Sequence, residues 1–433
     1  MAKVLIIGSG GREHALGWKL AQSPKVEEVL CLGDNAGMAT EPKMRQIPDL
    51  KYAKDKFGDI GSLIERENIG ITLIGPEQPL VDGFADYLEE RGRRVFGPSA
   101  AAARLEADKF FSYGIMLKLD IPQARAVLCD QIGDAVRALH GWRDPAGVVL
   151  KARGLTGGKG VTVYDNAQQA LEDIAQRPGA FAQQLLVAER LRGEEFTVFG
   201  ISDGQRVYAI PASFQDHKRL ENDDMGLMTG GMGAYGPANH VAPPDVVQRV
   251  IDEIMTPVVQ EMTRNGTPYV GFLYAGMMKT QIGLKVLEFN VRLGDPECQP
   301  AMKMLKTDLY DIITGALDGN VPPIELNDGA ACCVVLAARG YPDSKKVAAE
   351  NGKSISGLEY AATIPGVKVF HAGTAIDEVG SIVTKGGRVL DVTAYSPQGI
   401  YKAKSLTYEA AEMITIRDGF HYRTDIGARA LGR

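Results

Sequence analysis

The first hundred residues alternate short apolar runs with amphipathic stretches, and this rhythm narrows the possible folds more than any other property of the chain. Residues 4–7, 29–32, 71–74 and 95–96 are apolar but for Thr72, as expected of strands buried on both faces. Helical patterns cover 13–22, 60–67 and 83–91 between them. Such alternation predicts a doubly wound parallel sheet. Ligands of these sheets bind beyond the carboxyl ends of the strands. Two strand ends there share chemistry, Ile74-Gly75-Pro76-Glu77 and Phe96-Gly97-Pro98-Ser99.

The remaining chain is organised differently. At 433 residues there is room for two to four domains with ample core. A second unit begins at Asp108-Lys109, at the head of a helix. A buried strand over 148–151 ends in Lys151, a glycine loop spans 154–160, and another apolar strand covers 185–189. A hairpin over 197–212 turns at Asp203-Gly204, and 246–263 has helical apolar spacing. A second hairpin pairs 271–279 with 285–290. After residue 328, strands over 334–338, 367–370 and 388–394 and a last helix predict a small α+β domain. The expected division is therefore α/β and α+β multidomain: a parallel domain at 1–105, a central region at 106–327 with a mobile lid at about 122–188, and a C-terminal domain at 328–433.

Several classes are disfavoured. The net charge of −6, with no Lys/Arg run, argues against a nucleic-acid partner. Five scattered cysteines, with no CxxC pair, suit a reducing cytoplasm and no zinc. Cys332 and Cys333 read as buried thiols in a strand. The N-terminus enters a strand too quickly for a signal peptide, and no apolar run reaches membrane length.

The chemistry concentrates in five places. In the run 286–297, strand alternation puts Glu288, Asn290 and Arg292 on one side, against Leu287, Phe289 and Val291. A carboxylate beside an amide oxygen suits a hard cation such as Mg²⁺ that bridges phosphates. Arg292 could hold an anion and Asp295 could orient an amine. Gly8-Ser9-Gly10-Gly11-Arg12-Glu13 lies between strand and helix, where exposed N–H groups suit a phosphate. Glu13 stands where a dinucleotide fingerprint needs glycine, so a sugar-phosphate site is favoured over a nicotinamide site. Lys151 and the loop Gly157-Gly158-Lys159-Gly160 form a flexible cationic segment without Walker A spacing. Glu189 and Glu195 follow the next strand, where acids could meet adenine and ribose. Gln215-Asp216-His217-Lys218 and the glycine-rich 229–235 read as long polar loops able to hold carboxylate and phosphate. His217 is expected to be a hydrogen-bonded structural histidine rather than a base.

Together these segments resemble the ATP-grasp superfamily, and within it the phosphoribosylamine–glycine ligase family of purine synthesis. The matching stretches are GSGGREHAL from Gly8, IGPE from Ile74, QDHKR from Gln215, TGGMGAY from Thr229, GFLYAG from Gly271, EFNVR with GDPE from Glu288, FHAGT from Phe370, GGRV from Gly386 and DIG from Asp425. They run in family order along the whole chain. The likeness implies an N-terminal parallel domain, a lid, an ATP-grasp centre and a C-terminal domain. It implies that Lys109, Lys151 and the lid loop (Gly157, Gly158, Lys159) contact ATP phosphates, Glu189 the adenine edge and Glu195 the ribose. Glu288 and Asn290 would ligate Mg²⁺ or Mn²⁺, and Arg292 and Asp295 would face glycine and the acyl phosphate. Gly10, Gly11, Glu13, Gly75, Pro76 and Glu77 would receive phosphoribosylamine, and Asp216, His217 and Lys218 would contact substrate. Arg153 stands where the family lid has an acid, Arg190 where an aromatic is usual, and Cys298 where threonine is common.

The implied reaction is ligation of glycine to 5-phosphoribosylamine through glycyl phosphate by a cytoplasmic monomer. The alternatives are an ATP-grasp ligase for another acid and amine, and a nucleotide-binding relative that has lost catalysis.

Overall fold

The computed structural model describes residues 1–155, 160–177, 179, 181 and 184–432. The N-terminal sheet is parallel and five-stranded, in the order Met44–Ile47, Val26–Leu32, Ala2–Ile7, Ile71–Ile74, Val95–Phe96. The central strand Ala2–Ile7 has neighbours on both sides and helices over its faces, so Leu5, Ile6 and Ile7 are fully buried. Helix Gly11–Ala21 starts at the carboxyl end of that strand. The edge strand Met44–Ile47 was not anticipated; its sequence Met-Arg-Gln-Ile carries too little apolar signal.

The anticipated second unit holds two sheets. The lid is antiparallel, in the order Ala126–Cys129, Leu185–Glu189, Val148–Ala152, Val161–Tyr164, backed by helices Ile132–Gly141 and Ala167–Gln176. Cys129, Leu139, Val148, Leu150, Ile174 and Val187 belong to a core cluster of its own. A lid with its own core can keep its shape if it tilts against the body.

The second sheet has eight antiparallel strands. Its order is Gly283–Asn290, Val270–Thr280, Gly193–Asp203, Val207–Asp216, Gly233–Gly236, Ala330–Ala337, Arg388–Ser396, Val367–His371. One sheet thus joins strands on either side of residue 328. The link is Gly233–Gly236, which sequence reasoning left inside a polar loop. It is instead a wholly buried strand, pairing Tyr235 with Gln215 and Cys332. Glycine is needed there, because a Cβ on Gly233 would lie 2.6 Å from the Cys333 carbonyl oxygen and 2.7 Å from Ile426. Cys332 and Cys333 are buried in the adjoining strand, as expected. Among the described residues no helix is long and apolar enough to cross a membrane.

Candidate active site

The strand Gly283–Asn290 brings Glu288 and Asn290 to the junction of all three parts. Gly276 sits opposite Glu288. No described group donates a hydrogen bond to the Glu288 carboxylate, yet four cations face it. Burial raises its pKa, but Lys218, Lys151, Lys109 and Arg292 outweigh burial and hold the carboxyl below its usual range. Asn290 is buried. Its amide satisfies its neighbours when Nδ2 donates to Glu106 Oε1 (3.1 Å) and the Phe289 carbonyl (3.2 Å), which turns Oδ1 away from Glu106. An ionised carboxylate without donors, beside an amide oxygen, is a donor set for a hard divalent cation. Among the described residues no three acidic, His or Cys side chains could hold a metal alone. A cation here would complete its shell with phosphate oxygens and water.

Two lysines converge on the same carboxylate from the lid side. Lys151, at the end of strand Val148–Ala152, donates to the Leu287 carbonyl at 3.0 Å. Lys109 opens helix Lys109–Lys118, which Asp108 caps, and donates to the Gly154 carbonyl at 3.2 Å. Burial lowers both lysine pKa values, and Glu288 opposes that. Arg153 forks onto both oxygens of Asp108 at 2.8 and 2.7 Å, tying the base of the glycine loop to that helix. Gly157, Gly158 and Lys159 lie outside the described residues.

Three further nodes adjoin the strand Gly283–Asn290. In the first, Glu106, which sequence reasoning did not single out, gathers three consecutive residues: Asn290, the Val291 N–H (2.7 Å) and Arg292 (3.1 Å). Arg292 also reaches Glu77 at 3.3 Å. Burial raises the Glu106 pKa against Arg292; the Glu77 pKa is lowered because Arg292 and Arg12 outweigh burial. Glu106 gave no signal because it sits at a helix end in an ordinary alanine-rich run.

The second node centres on Asp295. It accepts from Arg388 Nη2 at 3.2 Å and Gln299 Nε2 at 2.8 Å, and Gln299 Nε2 also donates to Asp391 Oδ2 at 2.7 Å. Burial is outweighed by Arg388 and Arg12, so Asp295 stays ionised. Arg388, Gln299 and Asp391 come from the C-terminal strand and from the helix Cys298–Met304, far apart in sequence.

In the third node, Lys218 donates to Asp216 Oδ2 at 2.9 Å, and buried Asp216 Oδ1 has no partner among the described residues. Glu297 is raised to about 6 by burial and by Asp216. His217 departs from expectation: its Nδ1 is buried without a hydrogen-bond partner, and burial with nearby Arg423 and Arg429 pushes its pKa to about 3. It is a neutral imidazole.

The N-terminal loop also corrects an expectation. The Gly10 N–H is not exposed for a phosphate: it donates to Glu13 Oε2 at 2.8 Å, and Arg12 Nε donates to Glu13 Oε1 at 2.6 Å. The acid at the third helical position caps its own helix. Gly11 is buried, and a Cβ on it would lie 1.8 Å from Asp391 Oδ2. Gly75 packs on Glu13, and Pro76 caps the helix Glu77–Val81. Gly10 and Gly75 therefore sit against the Glu13 carboxylate, with Pro76 beside them, whereas Gly11 faces Asp391 and Gln299.

Glu189 lies where the lid meets the body. Its carboxylate accepts from Lys285 at 2.6 Å and Arg125 at 2.8 Å, and its pKa is lowered because these cations outweigh burial. It lines a cleft of ≈ 670 Å³ with Glu194, His240, Ile282 and Lys285; neither Glu288 nor Lys151 lines that cleft. Glu195 is exposed on the following strand and exerts its field on Lys151.

A parallel N-terminal sheet, a small antiparallel lid and a larger antiparallel sheet, with lysines and an oxygen-donor pair between lid and body, define an ATP-grasp protein. The family descriptions that match are phosphoribosylglycinamide synthetase N domain (residues 2–106), ATP-grasp (A) domain (107–298) and C domain (331–429). The chain belongs to the phosphoribosylglycinamide synthetase family. It is 43% identical to a phosphoribosylamine–glycine ligase of Neisseria meningitidis serogroup B over 441 aligned positions, covering 100% of both chains. It is 42% identical to one of Rhodopirellula baltica, covering 99% of this chain and 98% of that one. The crystal structure of phosphoribosylamine–glycine ligase from Thermotoga maritima superposes with a TM-score of 0.81 at 31% identity, covering 98% of this chain and 100% of that one. A biotin carboxylase domain from Hydrogenobacter thermophilus matches in fold alone, with a TM-score of 0.72 at 16% identity over 97% of this chain and 91% of that one. Membership implies the use of ATP and a divalent cation.

Proposed function

We propose that this chain ligates glycine to 5-phosphoribosylamine with ATP, through glycyl phosphate, releasing glycinamide ribonucleotide, ADP and phosphate. The observation that carries the reading is the Glu288 carboxylate, ionised, without a donor among the described residues and faced by four cations, two positions from Asn290 on one strand. Glu288 and Asn290 would hold Mg²⁺, which when bound would neutralise phosphate oxygens. Lys109 and Lys151, with the loop around Gly157, Gly158 and Lys159, stabilise charge on the transferred phosphoryl group. Glu189 and Glu195 border the adenosine end. Arg292 and Asp295 face glycine and its acyl phosphate, with Asp216 and Lys218 beside them. The ionised Asp295 can hold an ammonium or take the proton that the attacking amine sheds. Glu13, Gly75, Pro76 and Glu77 border the phosphoribosylamine side. The lid at about 122–188 closes over the nucleotide and excludes water from the acyl phosphate.

The test is a coupled assay for ADP with glycine, with and without freshly generated phosphoribosylamine, and with alanine in place of glycine. ADP release that needs glycine and phosphoribosylamine together supports the reading. Equal release with alanine, or none with any acid, refutes it.

A further inference from the structure

Five buried side-chain atoms lack a hydrogen-bond partner among the described residues, and two of them belong to one contact. Gln299 and Asp391 are both fully buried and joined by Gln299 Nε2 donating to Asp391 Oδ2 at 2.7 Å. The atoms left over are Gln299 Oε1 and Asp391 Oδ1, both acceptors as an amide and a carboxylate. Turning the Gln299 amide over would only set its oxygen against two carboxylates, since Nε2 also serves Asp295 Oδ1 at 2.8 Å. A proton on Asp391 removes the conflict, because a carboxylic acid and an amide each carry one donor and one acceptor on the same side.

We propose that Asp391 is a protonated carboxylic acid that donates from Oδ1 to Gln299 Oε1, closing an acid–amide pair that aims the Gln299 NH₂ group at Asp295. Asp391 is thereby a positioning residue for the carboxylate assigned above to glycine and the acyl phosphate, and only this kinetic consequence rests on that assignment. The surroundings favour the proton. Burial and neighbouring Asp295 push the Asp391 carboxyl up to about 7, against Arg388 and the Gln299 hydrogen bond. The titratable groups around it are Asp295 on the preceding loop, Arg388 on its own strand and Cys333 on the next strand. Helix Gly11–Ala21 brings Arg12, which acts on Asp295, and Glu13, bonded to Gly10 and Arg12. Phe370 and Val335, its partners across the sheet, carry no charge. Asp391 Oδ2 occupies the space a side chain on Gly11 would take, a Cβ there lying 1.8 Å from it, so the carboxyl is packed against that backbone. When the proton leaves, the pair opens and a second negative charge sits beside Asp295.

The experiment compares the parent with Asp391→Asn and Asp391→Leu. Asparagine reproduces the pair without titrating, its amide donating to Oε1 and accepting from Nε2; leucine cannot. Parent kcat is expected to fall from about pH 6 to 8. Asp391→Asn should hold its kcat across that range, and Asp391→Leu should be roughly tenfold to a hundredfold below the parent at pH 6, with no further fall as pH rises and KM for ATP little changed. Isotope-edited infrared spectra of ¹³C-aspartate protein should show, at pH 6, a protonated-carboxyl band that Asp391→Asn removes. Circular dichroism at pH 6 checks that each variant folds; if Asp391→Leu does not, the parent and the asparagine variant decide the matter. A missing band, or the same band in Asp391→Asn, overturns the protonated pair. A band with identical pH profiles in parent and Asp391→Asn overturns the positioning role, and then the ADP assay decides separately whether the assigned reaction stands.

Discussion

Replacing Glu288 by glutamine tests the proposed metal role of its carboxylate with little change of shape. The amide has the carboxylate's volume, so no cavity opens and the strand Gly283–Asn290 keeps its pairing with Val270–Thr280. What changes is one negative charge facing Lys218, Lys151, Lys109 and Arg292. Loss of one preorganised charged group at a reacting phosphate costs about 3–4 kcal/mol of transition-state stabilisation, or about 10²–10³ in kcat. The cost to folding is smaller. Lys109 and Lys151 already have lowered pKa values, so they relieve the added repulsion by giving up protons more readily. At about 1.4 kcal/mol per pKa unit, a further unit on one lysine means roughly 1–2 kcal/mol of stability. The assay is ADP release at saturating glycine and phosphoribosylamine over a magnesium titration, with thermal melts alongside. The expected result is a fall of about a hundredfold or more, with an unchanged fold and a right-shifted magnesium dependence. Turnover near the parent's, with the same magnesium dependence, would show that Glu288 holds no metal and that the four cations serve only packing.

Arg292→Ala should lose activity and also destabilise the protein by about 3–5 kcal/mol, because Glu77 and Glu106 are left without their shared cation; Arg292→Lys, melted in parallel, should recover part of the stability but little kcat. Gly11→Ala should cost about 1–3 kcal/mol in denaturant unfolding, since its methyl lands on Asp391 Oδ2 and crowds Gln299; a neutral effect would mean that the junction yields easily. Two raised carboxyls should cost the protein stability as pH rises from the ordinary carboxylate range to neutrality. Asp391 and Glu297 have folded pKa values raised to about 7 and about 6, so their contribution is complete below the ordinary carboxylate range and is lost as pH rises through those values. For Asp391 the loss is roughly 4 kcal/mol at about 1.4 kcal/mol per pH unit, spread between the ordinary carboxylate value and about 7, and Asp391→Asn should flatten the melting profile across that window. Glu41 behaves oppositely. Burial raises its pKa, but His14 and Lys368 hold it down to about 2, so its contribution fades as pH falls from about 4.5 toward 2 and Glu41→Gln should blunt acid denaturation.

The sequence alone determined whatever depends on near neighbours along the chain. Period-two and period-3.6 patterns placed the parallel N-terminal sheet, the hairpins of the larger sheet and the helix that Lys109 opens, because each is fixed by which side of a strand or helix meets the core. The same locality made Glu288 and Asn290 legible, two residues apart on one strand. It failed where an element draws its stability from distant partners. Gly233–Gly236 has almost no side chains to form a pattern, and it is a strand because Val207–Asp216 and Ala330–Ala337 need a bridge between them. Tertiary structure alone decided the electrostatics. Glu106 matters because helix Ala100–Ala107 ends against the strand that carries Glu288 and Asn290, Gln299 and Asp391 because a helix and a strand 92 residues apart meet over Gly11, and the Gly10 N–H is occupied because Glu13 turns back on it. A charge's protonation state depends on how much water surrounds it and on which charges approach through space, and neither quantity is written in residue order.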